Sequence, residues 1–281
     1  MITGKTLITG VIGHPIEHSF SPPMHNTAYE VMDMDYSYVA FHVMPKDIGN
    51  VIKASKTMNI VGLNVTIPYK TDIIEYLDEI DETARMINAV NTISFKDGVA
   101  KGYNTDGIGA ISSIENYTPL KDKSVLVIGS GGAAKAITFT LLERDIDSLS
   151  IANRTQANAC SLIDNLKQYY DSKKITYCPI DDCDDVISSV DVIINTTPIG
   201  MYPNVDAQSP INTEHITSKH TVMDIIYNPL ETDLLRKARN NGAKIIYGRD
   251  MLVNQAVESF KIFTGRTPSA NVMMDALIEQ L

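Results

Sequence analysis

The chain has 281 residues, of which 44% are hydrophobic, and it carries a formal net charge of −10. This length and apolar content suffice for two hydrophobic cores, whereas the acidic balance argues against nucleic acid as a partner, because phosphates need a basic surface. No apolar run approaches the roughly 18 residues of a membrane span, and the cysteines form no even disulfide set, so we expect a cytoplasmic protein that does not enter a membrane.

The chain up to Gly107 alternates short β-like runs with helical stretches, a pattern typical of an α/β layer. The predicted strands are Thr6–Ile12, Tyr36–His42, Gly62–Ile67 and Thr92–Phe95, and the predicted helices are Pro22–Met32, Ile48–Met58 and Thr71–Tyr76. A first α/β domain is therefore expected in this half of the chain.

Two serines precede the first predicted helix. Ser19 and Ser21 alternate in an extended stretch, and Pro22 or Pro23 can open the helix that follows. Hydroxyls near a helix N-terminus can hold a carboxylate. The alternative is that one of these serines is only the N-cap of the helix.

A polar face occurs on the strand predicted at Gly62–Ile67. Side chains alternate along a strand, so Asn64 and Thr66 point the same way, and Pro68 ends the pairing and brings Lys70 over them. Asp106 stands in a run of turn-forming residues, where a loop carboxylate can meet the ammonium. A lysine and an aspartate beside amide and hydroxyl groups indicate a catalytic site, although an ordinary surface ion pair is the alternative.

A second set of strands follows the linker-like stretch Glu115–Asp122 and predicts a doubly wound sheet. These strands are Ser124–Ile128, Ser148–Ala152, Ile175–Cys178, Asp191–Asn195, Val222–Ile226 and Lys244–Tyr247. The segment from Asp250 then forms an apolar helical stripe, which must be buried, before a break and a final helix. The stripe is Leu252, Ala256, Phe260 and Phe263, the break is at Gly265 and Pro268, and the final helix is Asn271–Glu279.

The strand Ser124–Ile128 leads into a glycine-rich loop of the G-x-G-x-x-A type. In such a loop Gly129 makes the tight turn, Gly131 lets backbone amides approach a pyrophosphate, and Ala134 allows close packing of helix on strand. The preceding strand and the helix-compatible run after it favour a dinucleotide site over a simple turn.

The next strand ends at Asn153, Arg154 and Thr155 without a carboxylate. An NAD site usually has an acid here for the ribose hydroxyl, whereas an arginine suits the 2′-phosphate of NADP. We therefore expect NADP as the cofactor, the alternative being that Arg154 is a solvated surface residue. The loop that begins at Asn195 leaves another strand at its carboxyl end, and we assign it to the nicotinamide side.

Two clusters have the composition of metal sites but not the spacing. His14 and His18 are four residues apart, yet Pro15 argues against a helix between them. The stretch Cys178–Asp185 is rich in acidic residues and is better explained as a solvated turn. No metal is expected.

Segments spread over nearly the whole chain strongly resemble the shikimate/quinate dehydrogenase family. In chain order they are Ser19–Ser21, Asn64–Lys70, Ile87–Thr92, Asn104–Asp106, Gly129–Ala133, Asn153–Thr155, Asn195–Pro198 and Asp250–Gln255. The resemblance implies NADPH-dependent, reversible reduction of 3-dehydroshikimate to shikimate in aromatic amino-acid biosynthesis. It further implies a substrate domain at residues 1–107 and 248–281 and a Rossmann-type NADP domain at residues 108–247, with the C-terminal helices returning to the first domain.

The resemblance also implies roles for individual residues. Lys70 and Asp106 would be the catalytic pair, and Ser19 and Ser21 would hold the substrate carboxylate. Ring hydroxyls would be bound by Asn64, Thr66, Asn91, Asp106 and Gln255, with Tyr227 nearby. The cofactor would be bound by Gly129, Ser130, Gly131, Gly132, Ala133, Asn153, Arg154, Thr155, Thr196, Thr197, Pro198, Gly248 and Met251.

One departure concerns cofactor choice. NADP-using members often have a second basic residue shortly after the arginine, and here Gln156–Asn158 has none. A quinate/shikimate dehydrogenase that prefers NAD is therefore one alternative, and a non-catalytic NADP-binding or shikimate-sensing protein on the same fold is another. The protein is expected to be a monomer or a homodimer.

Overall fold

The computed structural model describes residues 2–281 and divides into two compact units. The first unit comprises the chain up to Thr105 together with Val253–Leu281, and the second comprises Asp106–Leu252. Each contains one six-stranded sheet with helices, so the mixed α/β fold class is confirmed. The boundaries lie at residues 105/106 and 252/253, where the sequence led us to expect 107/108 and 247/248.

The first unit is built on a mixed sheet in the order β2-β1-β3-β5-β6-β4. Its strands are β1 (Leu7–Gly13), β2 (Tyr36–His42), β3 (Gly62–Val65), β4 (Glu79–Ile80), β5 (Thr92–Lys96) and β6 (Val99–Tyr103). Its helices are α1 (Ser21–Val31), α2 (Ile48–Thr57) and α3 (Glu82–Ile87), with short 3-10 turns at Pro45–Asp47 and Asp72–Tyr76. Strands β1, β2 and β3 are parallel, whereas β5 pairs antiparallel with both β3 and β6.

The sequence analysis missed β4, β6 and α3 in this unit. Strands β5 and β6 form a hairpin whose turn is Asp97–Gly98, with φ of 52° and 79°. An Asp-Gly pair favours such a turn because both central residues need positive φ. This signal was present in the sequence.

The second unit contains an all-parallel sheet in the order β12-β11-β10-β7-β8-β9. Its helices are α4 (Asp106–Glu115), α5 (Gly132–Leu142), α6 (Gln156–Lys167), α7 (Asp184–Ser189) and α8 (Asp233–Asn240). Its strands are β7 (Ser124–Ile128), β8 (Ser148–Asn153), β9 (Lys174–Pro179), β10 (Val192–Asn195), β11 (Thr221–Asp224) and β12 (Lys244–Ile246). The strand order reverses between β7 and β10, which is the arrangement of a Rossmann fold.

Two further helices follow, α9 (Gly248–Thr264) and α10 (Ala270–Ile278), and the chain passes into the first unit within α9. The predicted stripe is buried there through Ala256, Phe260 and Phe263. Phe263 lies directly over Gly62, where an added Cβ would come within 2.1 Å of the Phe263 ring. The absence of a side chain at Gly62 therefore lets α9 pack on β3. No helix within residues 2–281 is long and apolar enough to cross a membrane.

Candidate active site

A cluster of buried polar side chains lies inside the first unit. Its members are Asn64, Asn91, Thr92, Thr105 and Ser259. The antiparallel register of β3 and β5 places Asn64 opposite Thr92, and Ser259 reaches both from α9, with its Oγ 2.9 Å from the Asn64 amide nitrogen and 2.9 Å from Thr92 Oγ1. Buried polar groups are costly unless they are hydrogen-bonded, so the network holds these elements in a defined register.

The lysine predicted to be catalytic follows this strand. Strand β3 ends at Val65 and not at Ile67, because the chain turns and the Tyr69 amide donates to the Thr66 carbonyl at 3.0 Å. Tyr69 is buried, and the Lys70 carbonyl accepts a hydrogen bond from the Val90 amide at 2.7 Å. The backbone of the half-buried Lys70 is thus fixed on both sides.

Asp106 occupies a helix terminus and not the expected loop. It is the first residue of α4, and it is half-buried. The turn-formers before it bind backbone and side chains: Asn104 Nδ2 donates to the Ala89 carbonyl at 3.1 Å, and the Thr105 amide donates to Asn91 Oδ1 at 2.8 Å. A carboxylate at a helix N-terminus is stabilised by the helix dipole.

The two serines also differ from the extended stretch that we expected. Phe20 between them has helical φ and ψ of −85° and −2° and is the N-cap of α1, so Ser21 is the first helical residue. The Ser21 amide donates to Ser19 Oγ at 3.3 Å, and the N-cap residue itself, Phe20, has no side chain that can accept. The N-cap alternative is therefore wrong, because the two serines lie on either side of the N-cap residue at the start of α1.

The glycine loop of the second unit leaves β7 at the point where the strand order reverses. Gly129 has φ of 108°, and an added Cβ there would lie 2.6 Å from Thr196 Oγ1. Gly131 is the N-cap of α5 and offers no capping side chain, and nothing lies within 4 Å of a Cβ built at Gly131 or Gly132. The start of α5 is therefore open on the side where side chains of these glycines would lie, and a helix N-terminus of this kind can bind an anion.

The turn after β8 carries one positively charged side chain, that of Arg154. Asn153 ends the strand, and its Nδ2 donates to the Thr155 carbonyl at 2.8 Å, which closes the turn. Arg154 between them is exposed, and it makes no ion pair within the described residues 2–281. Its guanidinium is thus free to bind an anion.

The remaining candidates lie after β10 and β11 and in α9. Thr197 donates both its amide and its hydroxyl to Asn195 Oδ1, at 3.0 and 2.7 Å, which orders the loop from Thr196 to Pro198. The buried Asp224 accepts from Thr232 Oγ1 at 2.7 Å, and burial raises the pKa of its carboxyl. Tyr227 follows and is exposed.

Helix α9 contributes to both units. Gly248 lies so close to the chain after β11 that a Cβ would be 2.4 Å from the Ile225 and Ile226 carbonyls, and Met251 is buried. Further along, Gln255 is half-buried, and its backbone carbonyl accepts from Ser259 Oγ at 3.0 Å.

Sequence reasoning did not single out Tyr38, Thr92, Thr105 or Ser259, which all belong to the buried network of the first unit. Thr92 and Thr105 stood within the quoted motifs, whereas Tyr38 was only part of a predicted strand. Ser259 is one polar residue in the apolar stripe of α9, which was the signal available.

The second unit has an all-parallel sheet with a glycine loop at its switch point. The first α/β unit has a buried cluster of hydroxyl and amide groups and a lysine with a fixed backbone. Together these features are those of a two-domain dehydrogenase of the α/β class.

Three family models match successive parts of the chain. The Shikimate dehydrogenase substrate binding domain matches residues 11–93, Shikimate / quinate 5-dehydrogenase matches residues 112–225, and the Shikimate 5′-dehydrogenase C-terminal domain matches residues 248–278. A protein of Methanosphaera stadtmanae named "Shikimate dehydrogenase (NADP(+))" is 63% identical, covering 100% of this chain and 99% of its own length. The chain belongs to the shikimate dehydrogenase family, as its motifs indicated.

Solved structures of shikimate dehydrogenases are also similar to this chain. A crystal structure of shikimate dehydrogenase in complex with NADP+ has a TM-score of 0.91 and 46% identity, covering 99% of this chain and 97% of the other. Shikimate 5-dehydrogenase from Listeria monocytogenes, in complex with shikimate and NAD, has a TM-score of 0.92 and 32% identity, covering 98% and 97%.

Proposed function

We propose that this chain catalyses the reversible, NADPH-dependent reduction of 3-dehydroshikimate to shikimate. The observation that carries the proposal is its 63% identity, over the whole chain, to a relative named "Shikimate dehydrogenase (NADP(+))". In this proposal the first unit binds the substrate and the second binds the cofactor. The protein acts in the cytoplasm as a monomer or a homodimer.

Lys70 is the proposed proton donor. Reduction of a ketone needs a hydride at carbon, which bound NADPH supplies, and a proton at oxygen. The Lys70 ammonium donates that proton and stabilises the developing alkoxide, and Asp106 orients the ammonium and accepts from a substrate hydroxyl. The fixed backbone on either side of Lys70 supports this role, because general-acid catalysis depends on position.

The substrate is bound by the polar groups around this lysine. Ring hydroxyls are bound in the proposal by Asn64, Thr66, Asn91 and Gln255, and Tyr227 is a further candidate for substrate binding. Ser19 and Ser21 hold the carboxylate, which is supported by their position on either side of the N-cap residue of α1.

The second unit fits NADP. The pyrophosphate binds at the open N-terminus of α5, along Gly129, Ser130, Gly131, Gly132 and Ala133. Arg154 binds the 2′-phosphate, with Asn153 and Thr155 shaping the turn, and its lack of an ion pair within residues 2–281 supports this role. The nicotinamide side is formed by Thr196, Thr197, Pro198, Gly248 and Met251.

A relative in complex with NAD supports the second candidate, a quinate/shikimate dehydrogenase that prefers NAD. The absence of a basic residue in Gln156–Asn158 agrees with it. A steady-state assay that crosses shikimate and quinate with NADP+ and NAD+ tests both candidates. We expect the highest specificity constant for shikimate with NADP+. A higher constant with NAD+ would replace the proposal by the second candidate, and no turnover with any pair would leave a non-catalytic binding protein.

A further inference from the structure

The amide of Asn64 has a fixed orientation inside the buried network. Its Nδ2 lies 2.9 Å from Ser259 Oγ, 3.0 Å from Thr92 Oγ1 and 3.2 Å from the Asn91 carbonyl oxygen. Its Oδ1 lies 2.7 Å from the hydroxyl of Tyr38. All of these atoms belong to the first unit.

The direction of these hydrogen bonds follows from groups that have only one role. A backbone carbonyl can only accept, so the Asn64 atom that faces the Asn91 carbonyl must be the donor, Nδ2. Ser259 agrees independently, because its Oγ donates its one proton to the Gln255 backbone carbonyl at 3.0 Å and is left to accept. Tyr38 must therefore donate to Asn64 Oδ1.

The remaining capacity of Asn64 can then be counted. Nδ2 has two protons and faces three acceptors inside the protein, so it has no proton left for a ligand. Oδ1 has two lone pairs, and within residues 2–281 only Tyr38 donates to it. Asn64 is still 8% exposed. What it offers to a ligand is one acceptor position.

The Tyr38 hydroxyl donates its proton to Asn64 and also has a side-chain hydrogen bond with Ser21. Burial, with the neighbouring Tyr29, raises the pKa of Tyr38 well above its usual value, so the hydroxyl keeps its proton. Asn26 brackets its backbone by two hydrogen bonds of 2.8 and 2.9 Å. The ring stacks on His25 with centroids 4.2 Å apart. Burial lowers the pKa of His25 to about 3, so this partner is neutral.

We propose that Asn64 recognises a substrate hydroxyl strictly as a hydrogen-bond donor, and that Tyr38 is the positioning residue that holds Asn64 Oδ1 toward it. This inference rests on the proposed function and deepens it. The ligand group at this position must carry a proton that it can donate, as a hydroxyl does and a keto, ether or fluoro group does not.

Shikimate analogues test the direction of this hydrogen bond. Each of the two ring hydroxyls that do not react is replaced by hydrogen or by fluorine, and binding is measured by calorimetry. At one position, both replacements should weaken binding by about 10-fold or more, because the acceptor is left unpaired. The penalty should vanish in Asn64→Ala. An analogue in which fluorine retains the affinity would overturn the inference, and so would a penalty that persists in Asn64→Ala.

The Tyr38→Phe variant tests the positioning role, with Tyr29→Phe as the matched control. Tyr29 is also buried in the same unit, and within residues 2–281 its hydroxyl bonds only Thr9 Oγ1, at 2.9 Å. We expect Tyr38→Phe to raise the KM for shikimate by about 10-fold with kcat within about threefold of wild type, because binding geometry and not chemistry is altered. The KM of Tyr29→Phe should stay near wild type at a similar melting temperature. Equal KM values in the two variants would overturn the role of Tyr38.

Turnover of unmodified shikimate with NADP+ separates the two levels of inference. Normal turnover with a flat analogue series would remove only the role of Asn64 and Tyr38. Absence of both turnover and shikimate binding would remove the proposed function itself, and this inference with it.

Discussion

In the first unit a network of polar side chains is buried between the sheet and a helix, whereas in the second unit the buried polar residues of the strands lie at strand ends, at Asn195, Thr221 and Asp224. Asn64 on β3 is bonded to Ser259 on α9 across 195 residues of sequence. Asn195 and Asp224 instead end β10 and β11, and the loops after them carry the candidate residues. The candidate residues of the second unit thus depend on local loop geometry. The polar network of the first unit depends on contacts that form only after the chain folds.

Replacement of Lys70 should have the largest effect, because it removes the proposed proton donor in the first unit and does not alter the second unit. Lys70→Ala should lower kcat by about 10²-fold to 10⁴-fold, because general-acid catalysis acts in the transition state. Shikimate affinity should change only a few-fold. Lys53→Ala, an exposed lysine of α2, is the control and should keep wild-type kinetics. If kcat fell less than tenfold and only KM rose, Lys70 would be a binding residue.

Replacement of Ser19 or Ser21 should affect the binding of shikimate and not the binding of NADP. Ser19→Ala or Ser21→Ala should each weaken shikimate binding by about 1.5 to 3 kcal/mol, the usual size of a hydrogen bond to a charged group. NADP affinity should remain at the wild-type value in calorimetry. Loss of NADP binding would show that these serines stabilise structure and do not select a carboxylate.

Arg154 provides the reciprocal test in the second unit. Arg154→Ala should narrow the preference for NADP over NAD by roughly 10-fold to 100-fold, since one charge-assisted contact is lost. The exposed Arg239 at the end of α8, which is paired with Glu231, serves as the control in Arg239→Ala. An unchanged ratio of specificity constants for Arg154→Ala would mean that this arginine is a solvated surface residue.

Each unit contains a buried histidine, and the two histidines should differ in their effect on stability at low pH. His220 has both ring nitrogens hydrogen-bonded, to the Thr217 amide and the Ile187 carbonyl, whereas neither nitrogen of His25 has a partner within residues 2–281. Burial lowers the pKa of His25 from 6.5 to about 3. The unfolded chain therefore binds an additional proton as the pH falls below 6.5, and folding becomes less favourable until about pH 3.

At pH 5 the loss due to His25 should reach about 2 kcal/mol in the free energy of unfolding, at about 1.4 kcal/mol per pH unit. His25→Phe keeps a ring beside Tyr38 and should flatten this slope. Urea unfolding at several pH values measures it. An unchanged slope in the variant would mean that another group causes the acid sensitivity.

Two glycines with positive φ, one in each unit, can be compared by their effects on stability and on NADP binding. Gly98→Ala should cost about 1 to 2 kcal/mol in stability, because a Cβ disfavours left-handed backbone, and Gly129→Ala should cost more, because its Cβ would also lie 2.6 Å from Thr196 Oγ1. Only Gly129→Ala should also weaken NADP binding, since its Cβ would meet Thr196. Gly98 has no neighbour within 4 Å of an added Cβ and is the control. Equal NADP affinity in the two variants would separate Gly129 from the cofactor site.

How far the sequence alone was informative follows the same division. In the second unit every strand was predicted to within a few residues. The central strands β7, β10 and β11 are apolar runs buried on both faces, which is a strong signal. In the first unit the short β4 and the hairpin strand β6 were missed, and Asp106 was placed in a loop although it begins α4. The parts of the network contributed by Tyr38 and Ser259 could not be predicted, because nothing local indicates which buried polar residues meet.

The placement of Val253–Leu281 in the first unit has a consequence for biosynthesis. On the ribosome, the second unit is complete as a continuous stretch once Leu252 has emerged, and domains generally fold as units during synthesis. The sheet of the first unit, although made earlier, lacks the α9 residues that cover Gly62 and bond Asn64 until Phe263 has also emerged. We therefore expect the nascent first unit to leave the surface of β3 that α9 covers exposed at the point where the second unit is already complete.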